Sequence, residues 1–503
     1  MTSTRVSIAL FGTIFGTYLL CSPAHFLTTP DEELNLRTTL SLVQGYGGAV
    51  PPLGGFATKT GLNGREYAQY GLGLPLAAAP WCLLGLGIDP SNLPSANRLE
   101  LFFNPERESR SAGTEFLRWW MTVFSMAVTA LTVVIGHRIF LQTGLAPDKA
   151  VAMALLLALG TYAFPHGRTL FTEPLAVFCL VAAVALLLSI RNSGRSGFPW
   201  RYLAAGAFWG YAVLIRLDSL VTLPAAAWFL FVHEDARRWR LRIQPLRALF
   251  FFIPWAAVLG SVLFYNFYRF GSWVSTGYED QAEKIRFLTP LLVGLHGFLF
   301  TPGRSLFLYS PPLLFAVPGI QALWKQDRWL AGGLLLLIAG YLGMMSKWQN
   351  WAGGYDWGPR HIYQITPFLM IFAAVWFKDR GLWDSPAKRV GGALFVILAL
   401  FVQFLGLSAD PVLVVKRMLY AWPAVEIGSG LSLHSMIMQF MVYLPQFSNP
   451  VLHWQWILDH GPDLLILQIA ESTPLWLVFY LIPISMAGGG GCMLYRYVKR
   501  HGE

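Results

Sequence analysis

Three acids that follow an apolar run, and arginines set among aromatic and glycine residues, are the groups in this sequence best placed to do chemistry. The segment TTPDEELNLRTTLSL, Thr28–Leu42, carries Asp31, Glu32 and Glu33 in a row. Thr29, Pro30, Asp31 and Glu32 read as N-cap, N1, N2 and N3 of a helix. Thr29 and Glu32 have the spacing of a capping box, and Pro30 suits the first turn. Acids there also complement the helix dipole. Capping alone is one reading of this segment. The other is a carboxylate fixed at a membrane surface, able to accept a proton from a nucleophile. Three consecutive acids exceed what a cap requires. Glu33 has Arg37 one turn on as an ion-pair partner.

Four further segments place charge at apolar boundaries. RTLFTEPLA sets Arg168 and Glu173 where one apolar run ends and the next begins, and IRLD sets Arg216 and Asp218 in a tight hairpin. Ionisable groups at such positions are costly and tend to line a cavity; the alternative is a local ion pair. TPGRSLFLYSPPLL puts Arg304 just before an apolar run, where it faces a lipid phosphate or any headgroup. WQNWAGGYDWGPRH, Trp348 to His361, follows Lys347 and holds Trp351, Tyr355, Trp357, Arg360 and His361. An aromatic belt with basic anchors explains the tryptophans and Lys347. It does not explain Gly353–Gly354 or Gly358–Pro359–Arg360. Glycines let backbone approach a ligand, flat amphipathic rings suit sugar faces, and a guanidinium forks onto phosphate.

The elements that must position these groups follow from composition. The chain has 503 residues, of which 55% are hydrophobic and only 13% charged, about half the charged share of soluble domains. That excludes a disordered chain, a coiled coil and most soluble enzymes, and leaves an all-α polytopic membrane protein. Twelve spans are expected: Val6–Cys21, Leu117–Leu141, Lys149–Pro165, Thr172–Ile190, Tyr202–Ile215, Leu217–Val232, Leu249–Phe270, Leu306–Trp324, Trp329–Met345, Ile362–Phe377, Val390–Leu407 and Pro474–Tyr497. Arginines and lysines in the loops at 191–201, 237–247 and 378–389 and at the C-terminus then share one face, which is cytoplasmic by the positive-inside rule. This requires two short helices meeting near Arg216 rather than one long one.

Arg5 followed by Val6–Leu20 also fits a signal peptide. Tyr67–Gly85, broken by Gly71, Gly73, Pro75 and Pro80, reads as an interfacial or re-entrant segment of the first outer loop, residues 22–116. Gly488–Gly491 reads as close helix packing. Met436, Met438 and Met441 read as packing or an interfacial helix rather than a metal site. The four cysteines show no disulfide or zinc spacing. There is no P-loop, no GxGxxG after a strand and no HExxH. The net charge of +10 is distributed as in a membrane protein, not a nucleic-acid binder.

Taken in order, the acids outside the first span, the TEP segment, the R-x-D hairpin, GRSLFLYSPP and WxGGYxWGPRH resemble the GT-C membrane glycosyltransferases. The nearest in kind are bacterial polyprenyl-phosphate-sugar-dependent enzymes related to protein O-mannosyltransferases and lipid A aminoarabinose transferases. The resemblance runs from Met1 to about Leu407, a catalytic region; residues 408–503 form a further outer loop and the last span. It implies a bundle of about twelve transmembrane helices with small periplasmic loop helices. It also implies a monosaccharide carried on a polyprenyl phosphate and an inverting displacement onto a glycan, lipid or protein acceptor. Asp31 matches the first-loop catalytic acid with Glu32 beside it, and either is the base; the PDEE context departs from the small residue more usual there. Arg360, with Lys347, Arg304 or Arg216, matches the groups that hold the lipid phosphate. Arg168, Glu173, Tyr355, Trp357, Trp351 and His361 are expected at the substrate. No cofactor and no resident metal are demanded, with Mg or Mn assistance left open. The expected setting is a bacterial inner membrane, both termini cytoplasmic. A flippase of lipid-linked sugars and a non-catalytic scaffold are the alternatives. An oligosaccharyltransferase is expected less, because no large domain follows the spans.

Overall fold

The computed structural model describes residues 3–24, 29–50, 57–88, 115–193, 199–235, 238–242, 244–279, 286–380, 385–421, 433–470 and 476–501. These are mostly helical. Among them, six helices are long and apolar enough to cross a membrane: Ser3–Leu20, Phe116–Gln142, Glu173–Asn192, Pro245–Phe270, Arg328–Lys347 and Pro386–Leu407. The other expected spans are helical but shorter or interrupted. Lys149–Pro165 is a helix Pro147–Leu159 that stops at Gly160. Leu306–Trp324 is divided by Pro311 and Pro312, which start a 3-10 turn before the helix Ala316–Gln326. Proline removes a backbone donor and clashes with the preceding turn, so a pair of them ends a helix. The segment expected as the last span is a helix, Trp476–His501, with Pro483 inside it; part of the first outer loop, 89–114, lies outside the described residues.

The chain forms two compact units. One comprises Met1–His25, Ala130–Gly167 and Phe287–Glu503. Within it, Ser3–Leu20 packs along Trp476–His501. A side chain at Gly490 would collide with the Thr13 hydroxyl, so the small residue permits this close crossing; Gly488, Gly489 and Gly491 face open space. Residues 408–503 lie in this unit too. There Met441 is buried beside Val414, Val415 and Leu452, with Met438 and Tyr355 packed against them.

The other unit comprises Phe26–Thr129 and Arg168–Arg286. Helices Pro199–Ile215 and Pro245–Phe270 pack along each other, and Gly206 allows the backbone of Phe251 to approach. As the orientation argument required, the chain breaks at Arg216: the helix ends at Ile215, Arg216 is extended, and a 3-10 turn Leu217–Thr222 leads into Leu223–Phe231. The apolar segment after Tyr67 forms the helix Gly73–Ile88.

The all-α expectation needs correction in this unit. It holds a three-stranded antiparallel sheet of Ala49–Val50, Glu66–Ala68 and Thr58–Thr60, with Glu66–Ala68 central. A turn at Asn63–Gly64, with Gly64 at φ +76°, joins two of the strands. Val232–Asp235 and Arg238–Leu241 form a separate hairpin. Strands of two to four residues are too short to show a two-residue hydrophobic period.

Candidate functional site

The acidic segment folds as its capping residues dictate. Thr29 accepts from the Glu32 N–H, and the Glu32 carboxylate accepts from the Thr29 backbone, starting the helix Pro30–Val43. Glu32 Oε1 also accepts the Leu170 N–H at 2.9 Å, while Asn35 Nδ2 donates to the Leu170 carbonyl at 3.0 Å. The helix start is therefore clamped to the RTLFTEP segment. Glu32 is 3% exposed and committed to that clamp. Glu33 is equally committed: its Oε1 accepts from Arg37 at 2.8 Å and from Arg118 at 2.9 Å, all three side chains buried.

Asp31 differs from both neighbours. It is only partly buried, and its Oδ1 accepts the Tyr70 hydroxyl at 2.5 Å. Tyr70 is delivered by the sheet: Leu34, Val50 and Ala68 make a small core, and Tyr70 packs against it two residues past the central strand. Tyr278 meets Tyr70 edge-on at 6.5 Å. The Tyr278 phenol lies in the field of Arg216, Asp218, Asp31 and Glu173. Burial raises its pKa, the three carboxylates add to that, and Arg216 opposes it. Tyr278 is thus a neutral hydroxyl in the working pH range.

Arg216 organises the remaining acids. It pairs with Glu173 at 2.6 Å and with Asp218 through both Nε and Nη2, and donates to the Thr172 hydroxyl at 3.1 Å. The R-x-D and TEP motifs thus meet through one guanidinium. Arg168 is buried nearby in sequence. The carboxylates of Asp31, Glu173 and Asp218 and the Arg216 guanidinium all act on the Tyr278 phenol. Tyr70, Tyr278 and Arg118 are additions to the residues singled out from the sequence.

Tyr278 is held by the residue after it. Glu279 accepts from the Thr276 N–H at 2.6 Å, the Gly277 N–H at 3.0 Å and Lys59 at 2.9 Å. Partial burial acts to raise its pKa, but these hydrogen bonds and the Lys59 charge outweigh it and lower it to about 2.

In the other unit, the loop after Lys347 is built around Arg304. That side chain is 1% exposed. It donates to the carbonyls of Ala352, Gly354, Asp356 and Gly303. Arg304, expected at a lipid phosphate, here staples the loop from beneath. Gly353 and Gly358 sit at φ +75° and +69°, where glycine is favoured, so these two shape the turn. Trp351, expected as a sugar platform, packs edge-on to Phe298 at 5.4 Å. Trp357 likewise is a core ring, between Tyr309 at 4.9 Å and His453 at 4.7 Å. His361 is buried against Trp348. Arg360 pairs with Asp356 at 3.1 Å and keeps 12% of its side chain exposed. Tyr355 is partly and Lys347 largely exposed.

The fold is similar to that of a solved oligosaccharyltransferase. The apo oligosaccharyltransferase of Archaeoglobus fulgidus aligns with a TM-score of 0.52 and 12% identity over 90% of this chain. The chain spans 63% of the length of that protein. ArnT from Cupriavidus metallidurans, solved bound to undecaprenyl phosphate, aligns over 97% of this chain and 76% of its own, with a TM-score of 0.48 and 12% identity. No protein-family profile and no curated protein sequence matches the chain.

Proposed function

We propose that the chain is an inverting glycosyltransferase that moves a monosaccharide from a polyprenyl phosphate to an acceptor hydroxyl at the periplasmic membrane face. The observation that supports this most is Asp31, a partly exposed carboxylate oriented by Tyr70, in a chain with a glycosyltransferase fold. Its two acidic neighbours are committed to holding the helix, which favours Asp31 over Glu32 as the base. Asp31 takes the proton of the acceptor hydroxyl as that oxygen forms a bond to sugar C1. The C1–O bond to phosphate breaks, and its electron pair leaves with the polyprenyl phosphate. Positive charge that develops at C1 in such a displacement is favoured by nearby carboxylates, those of Asp31, Glu173 and Asp218. The leaving phosphate is assigned to Arg360, on its place in the GPRH motif and its residual exposure, with Lys347 as a second cation.

The test is to incubate purified protein with a panel of labelled polyprenyl-phosphate monosaccharides, with and without EDTA. One donor should lose its label to water or to an added acceptor, which names the sugar, and the EDTA arm reports any metal requirement. A donor that binds and stays intact while crossing vesicle bilayers would instead make the chain a flippase. Arg360→Ala should weaken the donor complex at least tenfold, the scale of one charge-assisted hydrogen-bonded contact. An unchanged donor affinity removes Arg360 from the phosphate.

A further inference from the structure

The hairpin Val232–Asp235/Arg238–Leu241 plays no part in the reaction above, yet its surface is unusual. Successive strand residues face opposite ways, so Trp239 and Leu241 share one face and Arg240 takes the other. Trp239 is 41% and Leu241 74% exposed. Trp239 meets Trp228 edge-on at 4.9 Å, and the Arg242 N–H donates to the Phe231 carbonyl at 2.8 Å, which fixes the hairpin to the helix Leu223–Phe231. Two neighbouring helix starts continue the pattern. Trp200 and Leu246 are 53% and 67% exposed. The Arg201 guanidinium lies 5.7 Å from the Trp200 ring, and Arg247 lies 5.8 Å from the Tyr202 ring. Residues 232–247 carry five arginines against Glu234 and Asp235.

Exposed indole and aliphatic side chains interleaved with arginines need a partner that is apolar and anionic within a few ångströms. A soluble polyanion supplies only the second property. An anionic phospholipid supplies both: phosphate oxygens for the guanidinium fork and the headgroup–acyl boundary for Trp and Leu. The location agrees, since Arg242 is three residues from the start of Pro245–Phe270, a helix long and apolar enough to span, at most about 10 Å of extended chain. We propose that this hairpin, with the starts of helices Pro199–Ile215 and Pro245–Phe270, is a docking surface for anionic phospholipid headgroups, bound through Arg201, Arg240, Arg242 and Arg247. Trp239 and Leu241 enter the acyl boundary. The proposal does not depend on the transferase reading.

The experiment is native mass spectrometry of the full chain in detergent, titrated with phosphatidylglycerol, phosphatidylcholine or glycerol phosphate. Phosphatidylglycerol should be retained and phosphatidylcholine not. Arg240→Gln with Arg242→Gln should lower phosphatidylglycerol affinity roughly 25-fold, about fivefold per arginine near a membrane surface. The Lys pair at the same positions should keep most of it. Trp239→Ser with Leu241→Ser should weaken the lipid while leaving all charges in place. Wild-type affinity in the Gln pair overturns the proposal, as does equal retention of phosphatidylcholine. Glycerol phosphate binding as tightly as the lipid would make this a free-phosphate site and also overturn it.

Discussion

Three consecutive acids have three different fates, and the difference lies in what each touches. Glu32 closes a capping box and accepts from Leu170. Glu33 pairs with both Arg37 and Arg118 in the interior, where removing the carboxylate would leave two buried guanidinium groups without it, at a cost of about 3–5 kcal/mol. Asp31 is partly exposed and accepts from the Tyr70 hydroxyl. Tyr70→Phe deletes one hydrogen bond to a charged group and should lower kcat about tenfold to a hundredfold, with donor affinity unchanged. Measured single-turnover rates that match the wild type would remove Tyr70 from the site. The cap and the Glu33–Arg37 pair were legible in the sequence because both are local spacings. Tyr70, Tyr278 and Arg118 were not, because they reach the acids across 39, 247 and 85 residues of chain. The expected sugar platforms Trp351 and Trp357 turned inward for a related reason: tryptophan suits a sugar face and a core equally, and only packing against Phe298 or Tyr309 tells them apart.

At the scale of elements, short pieces place the site. The sheet Ala49–Val50, Glu66–Ala68, Thr58–Thr60 delivers Tyr70, and the Lys59–Glu279 clasp holds Tyr278. Glu279 titrates at about 2 in the folded chain against 4.5 without these partners. A lowered carboxyl pKa stabilises the fold fully above the unfolded value and loses that contribution as pH falls through the folded one. The clasp should therefore be complete above about pH 4.5 and loosen progressively toward pH 2. Glu279→Gln should flatten that acid limb in a melting-temperature profile; an identical limb in wild type and variant would show that the clasp is not the titrating element. The break at Arg216 could be read from charge bias alone, since a single long helix would have put the basic run 237–247 outside. The sheet was missed although Asn63–Gly64 is a recognisable hairpin turn, because its strands are no longer than three residues.

At the scale of the whole molecule, apolar composition revealed a membrane protein, and the order of motifs revealed the fold shared with the archaeal oligosaccharyltransferase. The number of spans was less legible. The sequence holds twelve apolar runs, and six helices among the described residues have the length and apolarity to cross. A hydropathy run does not register that Pro311–Pro312 or Gly160 divides it. The assembly of each compact unit from separated stretches, such as Phe26–Thr129 with Arg168–Arg286, depends on contacts that no local pattern encodes. The central claim at this scale is that the chain transfers sugar with Asp31 as its base. The most direct measurement compares wild type and Asp31→Asn in nanodiscs, following both donor binding and transfer from the donor that the panel identifies. Equal donor affinity and a loss of transfer of at least about a hundredfold are expected in the variant, the usual contribution of a positioned base. Transfer at the wild-type rate by Asp31→Asn would contradict the claim.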